Sequence, residues 1–183
     1  MRKLKSTSSD ETYVIQLARA DVLSALPSIE IKAGQLFAEA GLPDIADSEP
    51  ADVEYFESFA RAGAVHVALD AMGAPVGFSL TGLLDGAVHL YELSVDPAHG
   101  RRGLGRRLVE AGCTYGKSHG CKAMTLSTFR DLAWNGPFYS SIGFRELSRA
   151  EWTPGHYTLH EREKDIGLPV ERRCFMRREF QDT

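Results

Sequence analysis

Apolar side chains recur along this chain in two rhythms. After Asp21, the residues Leu23, Leu26, Ile29, Ala33, Leu36 and Phe37 return every three or four positions, the period of a helix that buries one face. Asp21 stands where an N-cap is expected, its short side chain suited to the free amides of a first turn. Gly41 and Pro43 close this pattern. A second helix is predicted over 48–61, capped by Ser48, with Pro50 in its first turn and Tyr55, Phe56 and Phe59 as its apolar stripe. Before both, residues 13–17 alternate as a strand does.

The middle of the chain changes period. Strands are predicted at 64–69, 75–83 and 87–95, separated by a turn at Met72-Gly73-Ala74-Pro75 and by Asp85-Gly86, a strong hairpin signal. That is an antiparallel meander. The helical rhythm returns over 103–117 with Leu104, Leu108, Val109 and Cys113, stops at Gly120, and gives way to an apolar strand at 121–127. A strand–helix–strand unit of this kind places two parallel neighbours in one sheet. A short helix at 134–141, a strand opened by Gly143-Phe144, a polar stretch with a helix near 159–166, and a last strand at 172–180 complete the pattern. The fold class is α/β (α+β): a mixed, mostly antiparallel sheet flanked by helices.

Composition narrows the classes. The chain has 183 residues, 43% hydrophobic and 25% charged, the balance of an ordinary globular protein. Its formal net charge of −4, from 21 basic and 25 acidic residues, argues against a dedicated nucleic-acid binder. No apolar run approaches the roughly 20 residues that span a bilayer, so no membrane partner is expected. Cys113, Cys121 and Cys174 cannot pair completely and lack zinc-site spacing; they read as reduced, buried thiols of a cytoplasmic protein. Residues 1–11 read as a loose terminus without the apolar core of a signal peptide. No linker divides the chain, so 1–183 is read as a single domain.

The most informative segment is Asp96-Pro97-Ala98-His99-Gly100-Arg101-Arg102-Gly103-Leu104-Gly105-Arg106-Arg107. A strand ends, a Gly-rich turn follows and a helix begins. Free amides and the helix dipole favour an anion there, and the arginines concentrate positive charge in an acidic chain. Gly100 to Gly105 matches the G-x-x-x-x-G of a P-loop, but Arg106-Arg107 replaces its Lys and hydroxyl residue. The dinucleotide fingerprint G-x-G-x-x-G fails at Leu108. The segment instead resembles the coenzyme A loop of the GCN5-related N-acetyltransferase (GNAT) family, R/Q-x-x-G-x-G/A after a strand ending V-x-P, here Val95-Asp96-Pro97. Gly100 takes the Arg/Gln position, and the arginines occupy the next two places. Further on, Asn135, Phe138-Tyr139 and Gly143-Phe144 resemble the family's N-x-x-A/P-x-x-F/Y-Y-x-x-x-G-F element, with a shorter spacing from Asn to Tyr. The resemblance covers about residues 10–148 and leaves about 150–183 as a C-terminal extension.

The resemblance implies a central sheet of six to seven strands that splays between strands four and five, with acetyl-CoA as cosubstrate in the V-shaped cleft. Its pantetheine arm would add to the fourth strand at the backbones of Leu93, Ser94 and Val95. Its phosphates would meet Gly100, Arg101, Arg102, Gly103, Leu104, Gly105 and Arg106. The implied reaction is direct transfer of an acetyl group to a primary amine, on a small molecule or peptide, within a ternary complex.

Such transfer needs a base for the amine, donors for the oxyanion and a proton or hydrogen bond for the leaving thiolate. Glu92 is the candidate base, Tyr139 the candidate acid, and Asn135 a ligand of the pantetheine amide or a cap of the short helix. Phe138 is expected in core packing. Strict alternation would put Leu90, Glu92 and Ser94 on one face of the fourth strand and Tyr91, Leu93 and Val95 on the other. Glu30 is the candidate for the acceptor's ammonium, with Asp44, Asp47 and Glu49 near the same wall. Each has a plainer reading: a solvated carboxylate for Glu92 and Glu30, a packing aromatic for Tyr139. His156 and His160 stand four apart, but nearby Gly and Pro argue against a helical metal site, so no metal is expected. A non-catalytic acyl-CoA sensor is the alternative function, and the resemblance allows a homodimer.

Overall fold

In the computed structural model, which describes residues 13–181, seven strands hydrogen-bond into one mixed sheet. The residues expected to form a loose terminus lie outside the described range. β1 (Val14–Leu17), β2 (Val65–Leu69), β3 (Pro75–Leu84) and β4 (Ala87–Val95) pair antiparallel in sequence order. Asp85 and Gly86 carry φ of 48° and 82°, the pair of left-handed residues that a tight turn between twisted strands requires. α5 (Leu104–Ser118) then crosses to β5 (Ala123–Phe129), which runs parallel to β4 as the strand–helix–strand pattern implies. The last strand, β7 (Arg173–Glu179), inserts between β5 and the two-residue β6 (Arg145–Glu146). The segment beyond residue 150 thus supplies an interior strand of the sheet.

The helices correct several boundaries. The stripe that begins at Leu23 is two helices, α1 (Ala20–Leu23) and α2 (Leu26–Glu39). Pro27 has no N–H to return to Leu23, so the run breaks and restarts with proline in its first turn. Asp21 is therefore not an N-cap; it lies inside α1 and pairs with Arg19. The helix expected over 48–61 is α4 (Val53–Ala60), capped by Asp52, whose side chain accepts from the Tyr55 amide at 2.7 Å. Ser48 instead closes the short α3 (Pro43–Ala46), donating to the Ile45 carbonyl at 2.7 Å. The short helix expected at 134–141 is α6 (Gly136–Ser141). α7 (Pro154–Asp165) starts well before residue 159 because Thr153 caps it and Pro154 fits its first position.

Apolar residues pack on both faces of the sheet. On one, α5 covers β4 and β5 through Val88, Leu90, Val109, Cys113, Met124 and Leu126. On the other, α2 and α4 bury Leu26, Ile29 and Phe56 against Val65, Val67, Phe78 and Leu80. Phe56 is fully enclosed, a burial worth about 2–3 kcal/mol. All three cysteines are free and buried. Among the described residues, no helix is long and apolar enough to cross a membrane.

Candidate active site

Two irregularities of β4 make the site. It pairs with β5 only at Val88, His89 and Leu90; past Leu90 the strands part, and the rest of β4 pairs with β3 alone. Leu80 of β3 faces Glu92 while Thr81 faces Leu90, so Tyr91 is an extra residue, a β-bulge. The bulge resets the side-chain alternation. Leu90, Leu93 and Val95 all pack into clusters on the α5 side, whereas Tyr91 packs with Phe59 of α4. The expected grouping of Leu90 with Glu92 and Ser94 is thereby broken. Glu92 and Ser94 remain together, with the Ser94 hydroxyl donating to Glu92 Oε1 at 2.8 Å.

The gap between the splayed strands opens into a cleft of about 1080 Å³. One wall runs from Glu92 through Val95 to Gly100, Arg101 and Gly103–Arg106 at the start of α5, and includes Pro137 and Phe138 of α6. Gly103 is left-handed, with φ 77°, and occupies the N-cap position of α5 with no side-chain cap. The amides of the first turn therefore stay available to an anion. Asp96 anchors the loop, accepting from the Ala98 amide at 2.9 Å and from Lys32 at 2.8 Å. A Cβ at Gly100 would stand 3.1 Å from the Pro97 carbonyl, so a larger side chain there would crowd the turn. The arginines divide. Arg101 and Arg106 line the cleft, Arg102 lies over the Tyr13 ring, and Arg107 donates to the Tyr13 carbonyl at 2.9 Å. Arg102, expected with the other loop residues, is thus turned away from the cleft.

The opposite wall comes from α2, α3 and the segment after α3, and its acid is Glu30. Glu30 Oε2 accepts from the Ala51 amide at 3.1 Å, and burial raises its pKa. Asp44, Asp47 and Glu49 do not line the cleft; only Glu30 of that expected group faces it. Burial, followed by the nearby charge of Glu30, pushes Glu92 up to about 8, against the Ser94 hydrogen bond. A carboxyl so poised exchanges a proton near neutral pH.

Tyr139 sits deeper. Its ring packs between Phe138 and Phe144 at centroid distances of 5.0 and 5.7 Å. Burial drives its pKa upward, Arg173 opposing and Glu92 adding. It is not a cleft-lining residue, whereas Phe138, expected only in packing, is one. Asn135 stands at the N-cap of α6 without capping it; its Oδ1 accepts from the Thr128 hydroxyl at 2.7 Å. Sequence patterning missed the Phe37–Trp134 pair across the cleft, centroids 6.1 Å apart. The helical period of Phe37 reads as core whether a helix meets a sheet or a cleft.

A sequence model described as the Acetyltransferase (GNAT) family matches residues 34–144, more than half of the chain. The chain belongs to the GNAT acetyltransferase family. Its fold is that of solved GNAT structures. An acetyltransferase of the GNAT family from Staphylococcus aureus shares 18% identity with a TM-score of 0.69, over 92% of this chain and 99% of that one. A GNAT acetyltransferase from Listeria monocytogenes shares 15% with a TM-score of 0.65, over 97% and 100%. The PaiA N-acetyltransferase of Thermoplasma acidophilum, solved in complex with coenzyme A, shares 15% with a TM-score of 0.62, over 92% and 99%. In this GNAT chain the loop matched by sequence and the splayed strands meet in one cleft. Among the described residues, no group of three or more His, Cys, Asp or Glu side chains is placed to hold a metal ion.

Proposed function

We propose that this protein transfers an acetyl group from acetyl-CoA to a primary amine by direct attack in a ternary complex. The observation that carries the reading is Glu92: a carboxyl poised near pKa 8 on the cleft wall, just where β4 parts from β5. The open amides at the start of α5, with Arg101 and Arg106, suit the phosphates of the coenzyme. The unpaired edge of β4 at Leu93–Val95 suits its pantetheine arm. A backbone N–H near Leu93 serves the thioester oxygen as charge develops there.

Glu92 takes the proton from the attacking nitrogen, directly or through one water. As the new C–N bond forms and the C–S bond breaks, the departing sulfur must reach past the cleft lining to use the Tyr139 hydroxyl, which burial keeps protonated. The proton lost by nitrogen ends on the thiol. The acceptor is a small-molecule or peptide amine, its ammonium first met by Glu30. The buried, reduced cysteines suit a cytoplasmic enzyme, and a homodimer fits this reading.

A thiol-release assay with acetyl-CoA against chemically varied amines tests the proposal. Wild type is expected to turn over at least one amine class, and Glu92→Gln to bind the coenzyme equally well while losing turnover. Coenzyme binding with no turnover on the whole panel would replace the enzyme with an acyl-CoA sensor.

A further inference from the structure

We infer that the acceptor is a primary amine on an apolar body with no second charge, and that Phe37, Trp134 and the bare position at Gly34 select it; this rests on the acetyltransferase reading and adds the acceptor's class.

The path of that body is set by α2. Glu30, Ala33, Gly34 and Phe37 all line the cleft, and their spacing of three, four and seven residues puts them on one face of the helix. Phe37 stands two turns, about 10 Å, beyond Glu30 along the axis. Its ring reaches across the gap in the sheet. Leu90 of β4 is level with Leu126 of β5, so Leu93 and Phe129, each three residues farther on, stand level on opposite sides of the opening. The Phe37 ring lies 5.5 Å from that of Phe129 and 6.1 Å from that of Trp134, centroid to centroid. The helix that holds Glu30 thus meets an aromatic wall beside the strand edge that suits the thioester.

Gly34 leaves room on the same face. A Cβ there would make only ordinary contacts, 3.8 Å from the Ala46 carbonyl oxygen and 4.0 Å from the Ala46 Cα. Glycine inside a helix is unfavourable relative to alanine, and packing on α3 does not demand it here. The space it keeps open lies in the cleft, between Glu30 and Phe37.

The polar lining limits the charge an acceptor can carry. Among the described residues, the Asp, Glu, Lys and Arg side chains that line the cleft are Glu30, Glu92, Arg101 and Arg106. The two arginines belong to the loop wall. Lys32 of α2 is committed to Asp96 at 2.8 Å. The hydroxyls of Ser48, Ser94 and Ser141 donate to the Ile45 carbonyl, Glu92 and the Phe138 carbonyl. One ammonium therefore meets acids, while a carboxylate or a second ammonium carried as far as Phe37 would be desolvated without a partner. An arylalkylamine, a longer alkylamine and a peptide with an apolar first residue share the chemistry that fits; a diamine and an ω-amino acid do not.

The test compares kcat/KM for phenylalkylamines, alkylamines of increasing length, hexane diamine, aminohexanoate, and short peptides with an apolar or a charged first residue. Coenzyme A affinity is read beside it by calorimetry. Wild type is expected to gain about threefold to fourfold per methylene along the alkylamines and to favour hexylamine over hexane diamine and aminohexanoate. Phe37→Ala is expected to lower the ratio of phenylalkylamine to ethylamine by about tenfold or more, chiefly through KM, with coenzyme affinity kept; Phe37→Leu restores part of the ratio. Trp134→Ala shifts it in the same direction, and Gly34→Leu shortens the longest alkylamine accepted. Leu83→Ala, at an exposed apolar residue outside the cleft, keeps the wild-type ratio. These shifts in the amine series, the peptide series or both support the inference and identify the source. A ratio that Phe37→Ala and Gly34→Leu leave unchanged, or a loss of coenzyme affinity with every amine falling alike, overturns this inference alone; no turnover of any amine overturns the transfer reading as well.

Discussion

The two walls of the cleft are built from different materials. The loop wall, from Val95 to Arg106, is mostly backbone: the open amides of α5 behind left-handed Gly103, and a strand edge without a partner on one side. The acceptor wall is side chains. Glu30 and Phe37 from α2 and Ile45 from α3 stand on separate helices, and Glu30 is held by the Ala51 amide. A backbone wall can serve one constant ligand in many relatives, because almost any side chain leaves its amides in place. A side-chain wall changes chemistry with a few substitutions, so it is where one member of a family differs from the next.

The largest expected effect lies where the walls meet. Glu92→Gln should lower kcat/KM by about 10²–10⁴-fold, the usual worth of a general base, with coenzyme affinity unchanged. In wild type, kcat/KM should climb with pH and level off above about 8, and the variant should lack that limb. Stability supplies an independent readout. Because folding raises the Glu92 pKa from 4.5 to about 8, the folded state holds the proton more tightly, and stability falls as pH rises through that window. The variant should therefore melt at a higher temperature than wild type at pH 8.5, and no difference would count against the buried carboxyl.

The next effect isolates the backbone wall. A Cβ at Gly103 meets nothing within 4 Å, but its φ is 77°. Gly103→Ala therefore adds strain without a clash. It should cost about 1–2 kcal/mol of stability, read by thermal melting. It should weaken coenzyme binding about fivefold to tenfold, read by calorimetry, with acceptor KM little changed. The smallest effect isolates the other wall. Glu30→Gln keeps an oxygen for the Ala51 amide but removes the charge. Acceptor KM should rise about threefold. The pH limb assigned to Glu92 should move to lower pH, since the like charge that helps raise it is gone.

This division also explains what could be read from residues in order. The meander, the parallel crossover and the loop were legible because Asp85-Gly86, Gly103 and Gly120 mark positions that local geometry demands. The acceptor wall was blurred by helix starts. Pro27 and Asp52 are ordinary residues until a neighbouring carbonyl or amide makes them a break and a cap. The bulge at Tyr91 left no mark at all: nothing in Leu90-Tyr91-Glu92 breaks alternation, and only pairing with β3 reveals the extra residue. Glu92 is picked out by the family pattern, and its pairing with Ser94 holds, but alternation groups it wrongly with Leu90, because a one-residue slip exchanges the two faces of a strand. The role of the last strand was hidden for a related reason, since pairing with β5 and β6 is long-range.

That last strand sets a schedule for synthesis. β5 is made by residue 129, but its second neighbour, Arg173–Glu179, follows more than forty residues later. Until β7 emerges, the chain presents an apolar strand with one bare edge, a template for pairing with another chain. A ribosome stalled before residue 173 would hold a product with most of its active-site loop in place and its sheet open, the species most in need of a chaperone.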